Sequence, residues 1–354
     1  MASEYQYNFT GELNSYSNNT SGELESLEIV QTSHMNLENI VKLTLEVPIA
    51  FVGVVGNLLV LAVILSQGKR KQPSDVCLLN LAIADLGMLL STYPMTAIRE
   101  KPPYRWPLGE FTCRYLYPLP EIFYGASVWC IVSIAFRRYY NVVKSHGALS
   151  KAKEFQRARS NVACVWVISF VIFCLPLYFV VEYRDRGVPN GAPWCGPVWP
   201  SWNQNLIGIA YIALLTFFSY VMPLSIIAFA YFVISRALKQ TSTLVKAMNS
   251  GTNKPNRIAY LCIVKSARLQ KNKRVQRILT PVVLVFAITM FPLSVLRLVV
   301  VFWPAFTTKK MYANILYTII VFAILNSSAN PIIYTLLSRN FRKGVQNIYK
   351  SHSR

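Results

Sequence analysis

Charge is what this chain has little of. Only 14% of its 354 residues are Asp, Glu, Lys or Arg, against about 25% in an ordinary soluble domain. Acid is scarcer still, with 15 Asp and Glu beside 36 Lys and Arg and a formal charge of +21. A chain that is 53% hydrophobic with a mean hydropathy of +0.35 has too much apolar surface for water, which excludes most soluble enzymes and a disordered tail protein. Histidine is nearly absent: His34, His146 and His352 all lie outside the apolar runs. With no phosphate-cradling glycine loop and no run of metal ligands either, the chain shows no catalytic equipment and reads as a non-enzyme. Nor do short segments alternate with period 2, which disfavours a membrane β-barrel.

What is present is length without charge. A hydrocarbon core of roughly 30 Å takes about 20 apolar residues per helix. Seven runs meet or nearly meet that length: 47–68, 76–98 with Asp85 inside it, 115–136 with Glu121 inside it, 162–181, 206–235, 278–296 and 311–338. The expected fold is an all-α membrane protein, a seven-helix bundle over 47–338 with an N-terminal tail over 1–46. The segment 339–354 reads as a short amphipathic helix and tail lying on the membrane. A secondary transporter would show an internal repeat, and seven spans do not divide evenly.

Most of the basic residues fall on one side of such a bundle. Lys69, Arg70 and Lys71 lie between the first two runs, and Arg137, Arg138, Lys144, Lys151, Lys153, Arg157 and Arg159 between the third and fourth. From Arg236 to Arg277 there are eleven Lys and Arg and no acid. The positive-inside rule assigns that side to the cytosol. The basic excess is then topology, attracted to anionic lipid, and no nucleic acid is needed to explain it.

The N-terminus is therefore expected outside. Residues 1–46 hold seven Glu and a single Lys, with glycosylation acceptor triplets at Asn8, Asn18 and Asn19, which belong in a lumenal or extracellular segment. The triplet alone is a weak signal, since Asn326-Ser327-Ser328 fits it from inside a span. No cleaved signal peptide is expected, there being no charged n-region and apolar h-region at the start. Of seven Cys, only Cys113, at the outer end of the third run, and Cys195, in the second outer loop, face an oxidising compartment, so a bridge between them is expected.

Within this frame the runs carry ordered markers. They are Gly56-Asn57-Leu58-Leu59-Val60, Leu81-Ala82-Ile83-Ala84-Asp85, Trp106 with Cys113, Arg137-Arg138-Tyr139, Trp166 with Pro176, Pro223 with Tyr231, Phe286 with Pro292, and Asn330-Pro331-Ile332-Ile333-Tyr334 followed by Asn340-Phe341-Arg342. The set resembles the rhodopsin-like (class A) G-protein-coupled receptors from about Ala50 to Lys343. The resemblance implies a plasma-membrane receptor that passes binding of an extracellular ligand to a heterotrimeric G-protein. Arrestin and a receptor kinase are further implied partners.

The resemblance also implies roles. Asp85, a carboxylate costly to leave bare inside a membrane, would sit with Ser127, Asn326 and Ser327 around an allosteric sodium ion, these being hard oxygen donors. Asn57 would lie nearby; the bland alternative is a protonated Asp85 hydrogen-bonded between helices. Asn57, Phe286, Met290, Pro292, Asn330, Pro331, Tyr334 and Tyr231 fall at the family's switch positions, with proline removing a helix hydrogen bond beside each moving part. Arg137, Arg138 and Tyr139 fall where the family meets its G-protein. Two departures stand out. Arg137 replaces the usual acid, so the resting state lacks its electrostatic latch, and either basal signalling is raised or coupling is poor. Met290 replaces the usual Trp with a more flexible side chain.

The resemblance places the ligand pocket at Glu121, Tyr124, Arg297 and Trp194. Glu121 either reads a basic ligand group or is tied to Arg297 as an internal bridge. Pro120 stands where amine receptors carry Asp, so a monoamine is not expected; no Lys lies in 311–338, so neither is retinal. The second outer loop carries an Asn190-Gly191 turn signal with Trp194, Trp199 and Trp202, either ligand anchors or belt residues. A hairpin lid over an acidic tail points by analogy to a peptide ligand. The alternatives are a small non-amine ligand, or a receptor-like protein that binds without normal G-protein coupling.

Overall fold

The computed structural model describes residues 21–68, 72–99, 106–144, 151–185, 193–198, 206–249, 256–303, 305–306 and 310–352, with side chains for most of them from Thr44 onward. Two compact units divide at Pro48, Met1–Pro48 and Ile49–Arg354. Helix α1, Ser21–Ser66, contains that boundary. Glycosylation acceptors Asn8, Asn18 and Asn19 lie outside the described residues, as do Lys69, Arg70, Lys71, the Asn190-Gly191 turn, Trp199 and Trp202.

Among the described residues seven helical stretches are long and apolar enough to cross a membrane: Thr44–Ser66, Asp75–Thr92, Gly109–Val143, Ala152–Val180, Leu206–Lys246, Thr280–Phe302 and Asn314–Leu337. Seven spans follow the seven apolar runs, and the ends differ where charge misled. The third extends beyond Phe136 through Arg137 and Arg138, and the fifth beyond Ser235 to Lys246, because long basic side chains reach water while their helix continues. Large apolar side chains cover the outside, Phe51, Leu65, Leu90, Phe229, Ile288 and Phe291 among them. Such a surface suits hydrocarbon and would aggregate in water.

Proline shapes the bundle. The third span is built from α3, Gly109–Phe111, a π-helical turn Thr112–Leu116, and α4, Leu119–Tyr139. The fourth runs through α5, Lys151–Ser169, a π turn Phe170–Cys174, and α6, Leu175–Val180. The fifth runs through α7, Leu206–Thr216, a π turn Phe217–Val221, and α8, Met222–Asn249. Each of these π turns ends two residues before a proline: Pro118, Pro176 and Pro223. Proline has no N–H and its ring collides with the carbonyl four residues back, so widening the preceding turn relieves the clash without ending the helix. The amide of Tyr117 accordingly reaches five residues back, to the Thr112 carbonyl at 3.0 Å.

The third span is the hub, with 61% of its apolar stretch buried against 28% for the fifth. Around it pack α2, Pro73–Arg99, α9, Asn256–Phe302, and α10, Lys310–Leu337. Lipid tails are as apolar as leucine, so cohesion comes from close packing and interhelical hydrogen bonds. Gly125 shows the closeness: a Cβ there would lie 2.9 Å from the Phe173 ring. Trp166 Nε1 donates to Asn80 Oδ1 at 3.1 Å, tying α5 to α2.

At one end the chain forms a covalently closed cap. Strand β1, Val181–Arg184, pairs antiparallel with β2, Trp194–Pro197, in the register Tyr183↔Cys195 and Arg184↔Trp194. Cys113 and Cys195 form a disulfide, buried with Trp106, Leu177 and Val181. The Trp106 indole donates to the carbonyl of Gly109, whose φ of +74° is open to glycine and strained for most side chains. At the other end α11, Arg339–His352, turns away after Ser338, with Phe341 buried. A Cβ on Gly344 would meet Val63 at 2.5 Å, so α11 lies close against the end of α1.

Candidate functional site

Polar groups inside the bundle gather at three levels along the third span. Nearest the disulfide, Arg297 is the centre. Its Nη2 donates to Glu121 Oε2 at 3.5 Å and its Nη1 to Ser219 Oγ at 3.3 Å, while the guanidinium lies 5.2 Å from the Tyr124 ring centroid. The side chains of Arg297 and Glu121 keep 16% and 27% exposure. A pair this long is weaker than the charge-assisted bonds of about 2.8 Å that Arg and carboxylate can form. It can exchange partners with a charged ligand. Tyr211 packs against both the core and the disulfide cluster, with its hydroxyl donated to the Phe173 carbonyl at 2.8 Å, and so connects this level to the cap. Trp194 is on the cap itself, with the Arg184 guanidinium 5.9 Å from its ring.

At mid-membrane Asp85 is fully buried. Its Oδ1 accepts from Ser127 Oγ and its Oδ2 from Asn330 Nδ2, both at 2.8 Å. Ser327 is a third hydrogen-bonding neighbour. Asn57 Nδ2 donates to the carbonyls of Ser327 at 3.1 Å and Gly53 at 3.0 Å, joining α1 to α10. Asn326 is turned toward α9, its Oδ1 accepting from Thr289 Oγ1 at 3.3 Å. Every partner of Asp85 in this set is neutral: Ser127 and Ser327 present hydroxyls, and Asn330 an amide N–H that can only donate a hydrogen bond. The carboxylate and hydroxyl oxygens are hard donors that could hold a small monovalent cation.

Between these levels Phe286 and Met290 are fully enclosed, at 0% and 1% exposure. Phe286 lies 6.2 Å from the Tyr220 ring, and Tyr220 donates its hydroxyl to the Ala287 carbonyl at 3.0 Å. Pro292 lies within α9 and Pro331 within α10. The Met290 carbonyl accepts from Ser294 Oγ at 2.9 Å, so the turn around Pro292 has an additional hydroxyl bond.

At the basic end Tyr139 packs on Ile234, Leu238 and Leu269. Arg137 Nη2 donates to the backbone carbonyl of Glu154 at 3.0 Å, joining the third span to α5. Among the described residues neither Arg137 nor Arg138 is in an ion pair. The Tyr334 hydroxyl is buried without a hydrogen-bond partner among them. Tyr231 is half-buried on α8.

Sequence reasoning missed four contacts. Asn330 was assigned to a switch rather than to Asp85, Ser219 and Thr289 were not singled out, and the Glu154 carbonyl was not foreseen as the partner of Arg137. Hydroxyls give little signal, because most Ser and Thr in these helices bond back to their own turn, as Thr216 does to Ile212.

Six spans packed around a central third one, a disulfide from the start of that span to a strand pair, and a buried acid on the neighbouring α2 are the arrangement of a seven-helix membrane receptor. Residues 56–334 match the family described as "7 transmembrane receptor (rhodopsin family)", and the chain belongs to that family, as a G-protein-coupled receptor. It is 29% identical to human galanin receptor type 1 over 325 residues, covering 90% of this chain and 84% of that receptor. Human neuromedin-U receptor 2 is 30% identical over 313 residues, with 86% and 70% covered. Rat somatostatin receptor type 5 is 30% identical over 300 residues, with 84% and 74% covered.

Proposed function

We propose that this receptor is a plasma-membrane peptide receptor, N-terminus outside and basic side in the cytosol, that drives nucleotide exchange on heterotrimeric G-proteins when its ligand binds. The observation that carries the reading is the stretched Glu121–Arg297 pair with Ser219 and Tyr124 around it. A peptide carries charges of both signs, and a weak internal pair offers a partner for each. The relatives named for galanin, neuromedin U and somatostatin support the same ligand class. Trp194 and Arg184 on the strand pair supply an aromatic and a cationic contact at the rim.

The test is nucleotide exchange in membranes carrying the full chain, screened with free-acid and amidated peptides. Peptide-driven exchange that is lost in both Glu121→Gln and Arg297→Gln is the expected result. Activation only by a small uncharged compound would overturn the peptide assignment.

Two further parts belong to this reading. Asp85, Ser127, Asn326 and Ser327 hold a sodium ion, whose charge offsets the buried carboxylate. The basic end, Arg138 with Tyr139 and the helices around them, receives the G-protein, with arrestin and a receptor kinase as further partners there. Glycans at Asn8, Asn18 and Asn19 would mark the opposite side.

A second reading rests on Arg137. Its guanidinium is held on the Glu154 carbonyl, and Arg138 is in no ion pair among the described residues, with Asp75 acting on it only at a distance, so unliganded exchange is raised. Arg137→Glu supplies the acid and is expected to lower basal exchange. Unchanged exchange would sink the latch idea and favour a receptor that binds ligand and couples poorly.

A further inference from the structure

The basic ends of the fifth and sixth spans enclose a groove that the receptor reading leaves unused. It has a volume of about 600 Å³ and is lined by Phe232, Ser235, Arg236 and Lys239 from α8 and by Lys273 and Gln276 from α9. That is ample room for a small polar ligand. Gln276 Nε2 donates to Ser235 Oγ at 3.0 Å across it, and Ile234, Leu238 and Leu269 pack together as a buried cluster joining the same two helices. The groove is therefore built on packed helices rather than on a loop.

Its charge is uncompensated. Arg236, Lys239 and Lys273 are exposed, none of them is in an ion pair among the described residues, and no acid occurs anywhere from Arg236 to Arg277. Cations on two packed helices repel across the gap unless an anion lies between them. The neighbouring surface says what kind of anion. On α8 the exposed Phe229 and Phe232 share a face with Arg236 and Lys239, at helical spacings of three and four. On α9 exposed Lys273 and Arg277 give way along the helix to exposed Leu284, Ile288 and Phe291. Both helices thus present cations at the end of a hydrocarbon-facing stripe, and the sixth span begins at Thr280, one turn from Gln276. A free anion needs no apolar stripe; a lipid uses both parts.

We propose that this groove binds the polyphosphorylated headgroup of an inner-leaflet lipid, with its acyl chains along Phe229, Phe232 and Ile288. Three cations match a headgroup carrying several negative charges better than one of net charge −1. The phosphates bridge α8 to α9 in the arrangement seen here, so the lipid opposes separation of these two helices. Its placement in the inner leaflet rests on the orientation proposed above; binding itself does not.

The test uses the full-length receptor in neutral detergent micelles, with retained lipids counted by native mass spectrometry. Dioleoyl phosphatidylinositol bisphosphate, phosphatidylserine, soluble inositol trisphosphate and inorganic phosphate are the separate probes. One bisphosphorylated lipid is expected to be retained. Its affinity should fall about a hundredfold in Arg236→Gln/Lys239→Gln/Lys273→Gln, since each basic residue near anionic lipid contributes about a fivefold factor. Lys273→Arg should retain it, and Lys343→Gln/Lys350→Gln on α11 should leave it unchanged. Equal retention by the triple variant, equal loss from the α11 variant, phosphatidylserine held as tightly, or soluble anions competing as well as the lipid would each overturn the proposal. The micelle has no sidedness, so such a failure leaves the orientation and the peptide assignment standing, whereas glycans mapped to the basic side would overturn the orientation alone.

Discussion

Asp85 and Glu121 both interrupt apolar spans, and the bundle accommodates them by different means. Asp85 is fully buried and among the described residues meets only neutral donors, Ser127, Ser327 and Asn330. Glu121 keeps 27% exposure and faces a cation, Arg297. The first arrangement leaves a carboxyl with no charged partner among the described residues; the second pairs two opposite charges and can only exchange partners. Depth explains the division. A charge at mid-membrane has no water to relax into, whereas one toward the end of the bundle can be solvated and re-paired.

The largest effect that separates the two should come from stranding a charge. Glu121→Gln leaves the Arg297 guanidinium, 16% exposed, without its carboxylate, and a loss of about 2 kcal/mol is expected, below the 3–5 typical of fully buried pairs. Thermal unfolding of the detergent-solubilised receptor measures it. Adding Arg297→Gln should restore much of the loss, as a double-mutant cycle detects coupling that a merely local defect would not.

Sodium should act on the other acid alone. Exchanging potassium for sodium is expected to stabilise the receptor by about 1.4 kcal/mol at ten times the ion's Kd. Asp85→Asn should abolish that response, while Glu121→Gln leaves it intact. A sodium response that survives Asp85→Asn would place the ion elsewhere. The smallest effect is expected from Thr289→Val, which removes the hydroxyl shared by the Val285 carbonyl and Asn326 Oδ1. It should cost about 1 kcal/mol or less without sodium. Because Asn326 Oδ1 is then free for the ion, the sodium response should be at least as large as in the parent, and a weaker one would remove Asn326 from the site.

The seven helices were legible because bilayer thickness imposes a length on any helix that crosses it, and a charge-free run of that length has few other uses. Their ends were not: basic side chains such as Arg137 and Arg236 end the apolar runs, while the backbone goes on in helix. The prolines at 118, 176 and 223 were visible, yet whether proline kinks a helix or widens the turn before it depends on packing from other spans. Of the site, both acids were legible as costly exceptions, and Arg297 as the cation above Pro292. Asn330 as a partner of Asp85 could not be read, since that contact joins α2 to α10 across 245 positions of chain. Ser219 and Thr289 were hidden among hydroxyls that bond only to their own helix.

The bridge between Cys113 and Cys195 spans 82 positions of sequence, and the chain between them descends through the third span and returns through the fourth. Residues 113–195 are therefore a closed covalent loop threaded twice through the membrane, with the Arg137 to Glu154 contact on its far limb. A protease cut between these two spans would leave the receptor as one molecule until a reductant reached the opposite face. Tension applied at the strand pair has no free end to escape through, so it is shared by the tops of the third and fourth helices together.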